Sequence, residues 1–145
     1  MTNITLAKKE HLTKIAYLER EIFSEPCSEK GLEIFLDEKN FCILALEDDH
    51  LASYCTVVTL LDEAQVINVA TSPDFRGRGY AKGVLEAVFD ECKKRGISFI
   101  SLEVRESNLP AISLYQKLGF GIEGKRRDFY KNPRENALVM IKNLD

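Results

Sequence analysis

Apolar and polar residues follow one another in the first half of the chain in a way that predicts a strand, two helices and a β-hairpin. Residues 4–6 form a short apolar run. The segment after it repeats apolar residues about every 3.6 positions, which predicts an amphipathic helix that ends near Pro26. Ser28 is a suitable cap for a second, short helix. Residues 41–46 and 51–60 are apolar, β-branched runs around a polar tip, so they predict a hairpin.

The second half of the chain predicts further strands that alternate with two helices. The first helix follows a polar loop that begins at Ser72. The helix has a basic last turn, and Gly96 ends it. Asn108 and Pro110 are typical of the start of the second helix, which Gly119 ends. The predicted strands of this half are residues 64–70, 99–104, 120–125 and 137–141, with a polar connection around 132–133 before the last one.

The resulting order, β-α-α-β-β-β-α-β-α-β-β, predicts an α/β protein with a mixed sheet (an α+β arrangement) in a single domain over residues 1–145. A helical crossover separates the fourth and fifth strands, so we expect these two to be parallel neighbours and the early hairpin to be antiparallel. The chain has 145 residues, of which 45% are hydrophobic and 30% are charged. This composition is typical of one globular domain.

The net charge of the chain, the length of its apolar runs and the spacing of its cysteines and histidines exclude several classes of protein. Twenty Lys and Arg residues against 23 Asp and Glu residues give a net charge of -3, which lacks the positive field of a general nucleic-acid-binding protein. No apolar run approaches the ~20 residues that span a bilayer, and the amino terminus does not look like a signal peptide, so we expect a cytoplasmic protein without a membrane partner. The four cysteines and two histidines lack metal-ligand spacing, so we expect no metal and reduced, structural thiols.

The loop between the fourth strand and the next helix has the residues of an anion site. Backbone N–H groups at a helix start lack partners within the helix, and glycine lets a phosphate approach them closely. Basic side chains add positive charge around the same point. The loop therefore predicts a site for a phosphate group, most consistent with a pyrophosphate. Its residues are Arg76, Gly77, Arg78, Gly79, Tyr80, Ala81 and Lys82.

Several interpretations of this loop compete. The chain has no G-x-x-x-x-G-K-[ST] run, which a nucleotide triphosphate loop needs. A dinucleotide fingerprint that starts at Gly77 would need glycine at Lys82. The remaining alternatives are a glycine-containing loop with solvated arginines and the pattern R/Q-x-x-G-x-G/A, which Arg76, Gly79 and Ala81 match. The loop resembles the coenzyme A pyrophosphate loop of the GNAT superfamily of N-acetyltransferases.

A second motif strengthens that resemblance. Residues 103–120 fill every fixed position of E-x-R-x-x-N-x-x-A-x-x-L-Y-x-x-x-G-F, a signature of the same superfamily. From about Glu19 to Leu144 the chain is similar to bacterial ribosomal-protein alanine N-acetyltransferases, the RimI type. It departs from their pattern in segments that border the acceptor in such enzymes. The departures are Cys27 in place of tryptophan, Phe129 in place of tyrosine, Lys131 in place of proline and Asn136 in place of aspartate.

The resemblance implies a GNAT-like fold and direct acetyl transfer from acetyl-CoA to the α-amine of a protein N-terminus, by likeness the alanine of a ribosomal protein. Glu103 lies at the carboxyl end of a predicted strand, where open α/β sheets bind ligands, and the resemblance makes it the general base. The alternative is a glutamate paired with Arg105 or another cation. The resemblance makes Tyr115 the general acid toward the coenzyme sulfur, and the alternative is a core aromatic residue.

The remaining expectations concern binding. Asn108 either caps its helix or contacts the pantetheine arm. The resemblance implies that the fourth and fifth strands splay apart, so that Val69, Ala70 and Thr71 bind pantetheine through their backbones. Tyr130, in the polar connection, is the candidate acceptor-binding residue. The basic pair at 126–127 either recognises an acidic acceptor or is a solvated strand end.

Other functions with the same machinery stay open. They are acetylation of a small-molecule amine such as a polyamine or aminoglycoside, acetylation of lysine, and binding of acyl-CoA without catalysis.

Overall fold

The computed structural model describes residues 1–144, in which seven strands form one mixed sheet in the order β1-β2-β3-β4-β5-β7-β6. Only the β4 and β5 pair is parallel. The strands are Thr2–Leu6 (β1), Phe41–Glu47 (β2), His50–Leu60 (β3), Glu63–Thr71 (β4), Phe99–Arg105 (β5), Gly121–Lys131 (β6) and Arg134–Asn143 (β7). This arrangement confirms the mixed α/β class, the order of the elements, the early antiparallel hairpin and the parallel neighbours.

Among the described residues, three α-helices cover the sheet: Leu12–Ile22 (α1), Tyr80–Lys94 (α2) and Leu109–Lys117 (α3). The same part of the chain has three short 3-10 helices at Lys9–His11, Gly31–Leu36 and Pro73–Phe75. No helix within residues 1–144 is long and apolar enough to cross a membrane.

Two hydrophobic cores lie on opposite faces of the sheet. Strand β2 is buried on both sides, and its alternate residues belong to different cores: Ile43 packs in the core under α2 and α3, whereas Leu44 packs in the core under α1. A strand buried on both faces reads as a continuous apolar run, which is why the sequence predicts it well. The turn between β2 and β3 contains only Asp48 and Asp49, both with positive φ, as two-residue hairpin turns require.

Three elements differ from the predictions, and one of them is β7, which was predicted at 137–141 and extends from Arg134 to Asn143. The second helix is a single 3-10 segment, Gly31–Leu36, which buries Leu32 and Phe35; the Ser28 hydroxyl accepts a hydrogen bond from the Gly31 N–H at 3.0 Å. Strand β6 is longer than predicted and reaches Lys131, so that Tyr130 lies in a strand rather than in a loop. The prediction missed this extension because β6 is an exposed edge strand of polar residues, held by backbone hydrogen bonds instead of apolar packing.

The expected divergence of β4 and β5 is present. These strands pair only at Glu63–Phe99, Ala64–Ile100 and Gln65–Ser101, although both continue well beyond that point. On its other edge β4 has an irregularity, since Asn68 pairs with Thr56 and Val66 pairs with Val57, which leaves Ile67 as an extra residue. A bulge of this kind bends the strand that carries it. The bend occurs where β4 leaves β5, and a V-shaped opening forms between the two strands.

Candidate active site

A cavity of about 810 Å³ lies in the opening between β4 and β5. Five residues predicted for the site line it together: Val69, Glu103, Asn108, Tyr115 and Tyr130. The cavity thus brings the proposed base, the proposed acid and the proposed acceptor residue to one place. The other predicted binding residues, from Ala70 to Lys82, lie outside this cavity, where β4 runs on into the loop before α2.

Both carboxylate oxygens of Glu103 have a side-chain partner. Its Oε1 accepts a hydrogen bond from Gln65 Nε2 at 3.0 Å, and its Oε2 lies 2.7 Å from Nε of Arg126. The Glu103 side chain is 14% exposed, whereas that of Arg126 is 59% exposed. A cation therefore pairs with Glu103, as the alternative interpretation allowed, but it is Arg126 and not Arg105. Glu103 still lines the cavity, so the ion pair and a role as a base are compatible.

Tyr115 joins the hydrophobic core to the cavity. It extends from α3, and its ring packs edge-on against Phe120 with 5.8 Å between the ring centroids. Only 5% of the residue is exposed, and this burial raises the pKa of the phenol well above its usual value. Tyr115 consequently stays a proton donor over the physiological pH range. Tyr115 is therefore a core aromatic residue that also lines the cavity, and its role as the general acid stays a prediction.

Asn108 caps α3. Its Oδ1 accepts a hydrogen bond from the Ala111 N–H at 3.3 Å, which satisfies one of the free donors of the first helical turn. The residue also lines the cavity. The capping interpretation is therefore confirmed, and a contact with pantetheine stays a prediction.

The loop before α2 has the backbone conformation of an anion site. Gly79 is the N-cap residue of α2 with φ of 80°, Gly77 has φ of 77°, and no side chain caps this helix within the described residues. A Cβ atom added to either glycine would meet nothing within 4 Å, so the space beside the loop is open. The Arg76 Nε donates to the Thr71 carbonyl at 3.3 Å and ties the loop to the end of β4. These residues fit a diphosphate at the free N–H groups of the helix start.

Tyr80 differs from the other predicted loop residues because its side chain points away from the glycines. Its hydroxyl donates to Glu47 Oε1 at 2.7 Å, and its ring packs edge-on against Phe75. Hydrogen bonds from the amino terminus, Thr2 and Tyr80 lower the pKa of Glu47 to about 2. The Tyr80 side chain therefore anchors the loop to the end of β2, and only its backbone remains for an anion.

Arg105 is a structural residue of the site that the sequence reasoning did not select, although it occupies a fixed position of the second motif. Its Nη1 donates to the Pro133 carbonyl at 2.8 Å and lies 3.2 Å from Glu135 Oε1. Its guanidinium carbon lies 4.3 Å from the centre of the Tyr130 ring. Burial raises the pKa of Tyr130. Arg105 therefore holds the tip of the β6–β7 hairpin, and Tyr130 with it, over the cavity.

The completely buried Glu19, which supports the opposite wall of the cavity, was also not predicted from the sequence. Its carboxylate accepts hydrogen bonds from Asn68 Nδ2 at 2.9 Å and from the Cys27 N–H at 2.9 Å. Asn68 lines the cavity. A glutamate within an amphipathic helix normally faces water, so the sequence carries no signal for this role. Within residues 1–144, no group of three or more His, Cys, Asp or Glu side chains is arranged to hold a metal ion.

Comparison with known proteins identifies the class to which this fold and site belong. Residues 9–120 match the acetyltransferase (GNAT) family, and the chain belongs to that family. It is an N-acetyltransferase that uses acetyl-CoA.

Individual relatives make the class more specific. The [ribosomal protein bS18]-alanine N-acetyltransferase of Escherichia coli strain K12 is 32% identical over 142 residues, which cover 97% of this chain and 96% of the relative. A Bacillus subtilis protein named as a putative enzyme of the same kind is 32% identical over 140 residues, or 95% of this chain and 91% of the relative. The crystal structure of the ribosomal-protein-S18-alanine N-acetyltransferase from E. coli superposes with a TM-score of 0.92 at 31% identity, covering 100% of this chain and 95% of that one.

Proposed function

We propose that this enzyme acetylates the α-amine of the N-terminal alanine of ribosomal protein bS18. The similarity extends over nearly the whole length of the relatives that bear this name. The observation that carries the proposal is that the Glu103 carboxylate and the Tyr115 phenol line one cavity at the opening between β4 and β5. A base and an acid around one space are what amide formation from an amine and a thioester requires.

Glu103 and Tyr115 divide the proton transfers in this proposal. An α-amine has a pKa of about 8, so most of it is protonated near neutral pH and has to lose a proton before it attacks. Glu103 accepts that proton as the nitrogen bonds to the acetyl carbon. Tyr115 donates its hydroxyl proton to the sulfur as the carbon–sulfur bond breaks, and its buried environment keeps that proton in place beforehand.

The donor side relies on backbone groups. Acetyl-CoA, when bound, supplies the acetyl group as an activated thioester. Beyond Gln65, β4 no longer pairs with β5, so those backbone groups of Val69, Ala70 and Thr71 that face this edge bind the pantetheine amides in place of a neighbouring strand. Two of these carbonyls already have partners, since Ser53 donates to Ala70 and Arg76 donates to Thr71. The loop from Arg76 to Lys82 receives the diphosphate.

A peptide assay tests the proposed acceptor. The purified protein is incubated with acetyl-CoA and a panel of peptides that differ only in the first residue, alanine included, and mass spectrometry locates the added acetyl group. We expect modification of the α-amine of the alanine-first peptide. Modification confined to lysine ε-amines or to polyamines would contradict the proposal. This function also requires that the protein work in the cytoplasm, where ribosomal proteins are made.

The same panel tests the residues that depart from the family pattern. Phe129 and Lys131 line the cavity. Asn136 lies behind them, where its Oδ1 accepts a hydrogen bond from the Asp128 N–H at 3.0 Å. If these residues set the acceptor range, the preference among first residues changes when Phe129 is replaced by tyrosine, while acetyl-CoA binding does not.

A further inference from the structure

The ion pair between Arg126 and Glu103 engages the carboxylate that the acceptor amine has to reach if Glu103 is the base. Arg126 Nε is 2.7 Å from Glu103 Oε2, and Gln65 takes the other oxygen. A protonated amine and a guanidinium carry the same charge and seek the same carboxylate oxygen. The two cations therefore compete for Glu103.

The two partners of this pair are held very differently. Glu103 lies in the middle of the β5–β7 ladder, opposite Val139, and its side chain is largely buried. Arg126 lies on the edge strand β6, where the regular pairing with β7 stops until Tyr130. Asp128, two residues later, has φ of 52°. The irregular segment gives the Arg126 side chain freedom that Glu103 lacks.

Few contacts keep the Arg126 guanidinium in place. Besides Glu103, the described residues offer it only the Phe129 ring, whose centre is 5.9 Å from the guanidinium carbon. More than half of the side chain is already in water. An exposed arginine of this kind is rehydrated easily when its partner is taken, so the ion pair is weak enough to exchange.

We propose that Arg126 is a specificity-determining residue that occupies Glu103 until an acceptor displaces it. This inference rests on the proposed role of Glu103 as the base. A small amine brings only its charge, and it competes with Arg126 for a single carboxylate. A peptide brings further contacts along the cavity wall, and these favour the exchange. Arg126 thereby discriminates against free small amines in favour of peptide N-termini.

The test compares two acceptors that present the same α-amine, an alanine-first peptide and alanine amide. We expect Arg126→Gln to lower the KM for alanine amide about fivefold, the size expected when a competing exposed ion pair is removed. The kcat/KM for the peptide changes less, so the preference for the peptide falls. Arg126→Lys keeps a cation at this position and retains most of the preference.

Arg127→Gln is the matched control, because the neighbouring arginine forms no ion pair within residues 1–144. It should leave both acceptors unaffected. Arg126→Ala removes the side chain that a free guanidinium can replace, so ethylguanidinium added to this variant should restore the preference for the peptide, a rescue that a merely structural role of Arg126 would not produce.

The outcomes separate this inference from the proposed function. If the wild-type enzyme acetylates the peptide but Arg126→Gln keeps the same preference, the role of Arg126 is wrong and the proposed function stands. A higher KM for both acceptors in Arg126→Gln also overturns it, because Arg126 would then assist binding. If the wild-type enzyme uses alanine amide as well as it uses the peptide, the role of Arg126 is wrong and the proposed function stands. If the wild-type enzyme uses no peptide, both proposals fail.

Discussion

The carboxylate of Glu19 accepts a hydrogen bond from the Tyr54 hydroxyl in the interior of the protein, where neither residue is exposed to water. Burial and this hydrogen bond raise the pKa of Tyr54, which keeps the phenol a donor. No ion pair reaches Glu19 in the part of the chain that the structure describes, so its two carboxyl oxygens are satisfied by hydrogen bonds alone. Asn68 and the Cys27 N–H bind the same carboxylate as Tyr54 does. Glu19 of α1 is thereby connected to β3 through Tyr54 and to β4 through Asn68, behind the cavity.

Replacement of Glu19 by glutamine should destabilise the protein. The new amide nitrogen would face an N–H donor whichever oxygen it replaces, since Asn68 Nδ2 donates to both oxygens of Glu19 and the Cys27 N–H donates to one of them. We expect the free energy of unfolding to fall by about 2–3 kcal/mol, and by about 1 kcal/mol for Tyr54→Phe, which removes one bond. Urea denaturation measures both, and the double variant should lose less than the sum. If Glu19→Gln has the same urea midpoint of unfolding as the wild-type protein, this role of Glu19 is contradicted.

Gly79→Ala should weaken acetyl-CoA binding, because its φ of 80° is a left-handed conformation that alanine adopts at a cost of about 1 kcal/mol or more. A shift of the backbone toward a relaxed φ would turn the first N–H groups of α2 away from the diphosphate. Titration calorimetry should show affinity reduced about fivefold or more.

Gly96→Ala is the matched control for the loop. Gly96 has φ of 77° and equally open surroundings, but it lies at the other end of α2. We expect a similar loss of thermal stability and unchanged acetyl-CoA affinity. Equal loss of affinity in both variants would show that the effect comes from general destabilisation and not from the loop.

The elements that bury one face were predictable because burial of one face requires apolar residues at a regular spacing along the sequence. The fourth strand, predicted at 64–70, is Glu63–Thr71, and the predicted helix stop at Gly96 follows α2, which ends at Lys94. The anion loop was predictable for a related reason. Glycine adopts the positive φ of residues 77 and 79 without the steric cost that a side chain brings, so glycine at both positions indicates this conformation in the sequence.

Contacts between polar residues far apart in the sequence could not be predicted in this way. The Arg126–Glu103 pair joins side chains 23 positions apart, and either arginine of the 126–127 pair satisfied the sequence pattern equally well. The direction of the Tyr80 side chain depends on Glu47, a residue at the end of another strand. The extension of β6 to Tyr130 depends on backbone pairing with Glu135. Each of these features arises from tertiary packing and not from local propensity.

Glu103→Gln and Tyr115→Phe should each lower kcat by about 10²-fold or more, because each removes a group that transfers a proton. Acetyl-CoA affinity should stay within about twofold of wild type, which calorimetry checks and which separates loss of chemistry from loss of binding. Since burial raises the pKa of Tyr115 above its usual value of about 10, ionisation of this phenol should not reduce the rate below pH 10. Wild-type rates in both variants would refute the assignments.

Acidification should release the β6–β7 hairpin from the end of β5. Glu135 Oε2 accepts a hydrogen bond from the Ser107 N–H at 2.6 Å, and this bond, together with Arg105, lowers the pKa of Glu135. A carboxyl group with a lowered pKa in the folded state stabilises that state above its ordinary pKa of about 4.3, and this contribution is lost as the pH falls through the folded value. We therefore expect the Ser107 amide resonance to titrate with a midpoint below about pH 4.3.

Two variants make this last expectation specific. In Glu135→Gln the titration of the Ser107 amide should disappear, and the KM for the acceptor should rise, because Arg105 loses a partner that helps it hold Tyr130 over the cavity. Glu123→Gln removes an exposed carboxylate of β6 that forms no ion pair among residues 1–144, and it should change neither quantity. NMR spectra recorded between pH 7 and pH 3 decide the matter, since a Ser107 resonance that titrates identically in all three proteins would assign the transition to another group.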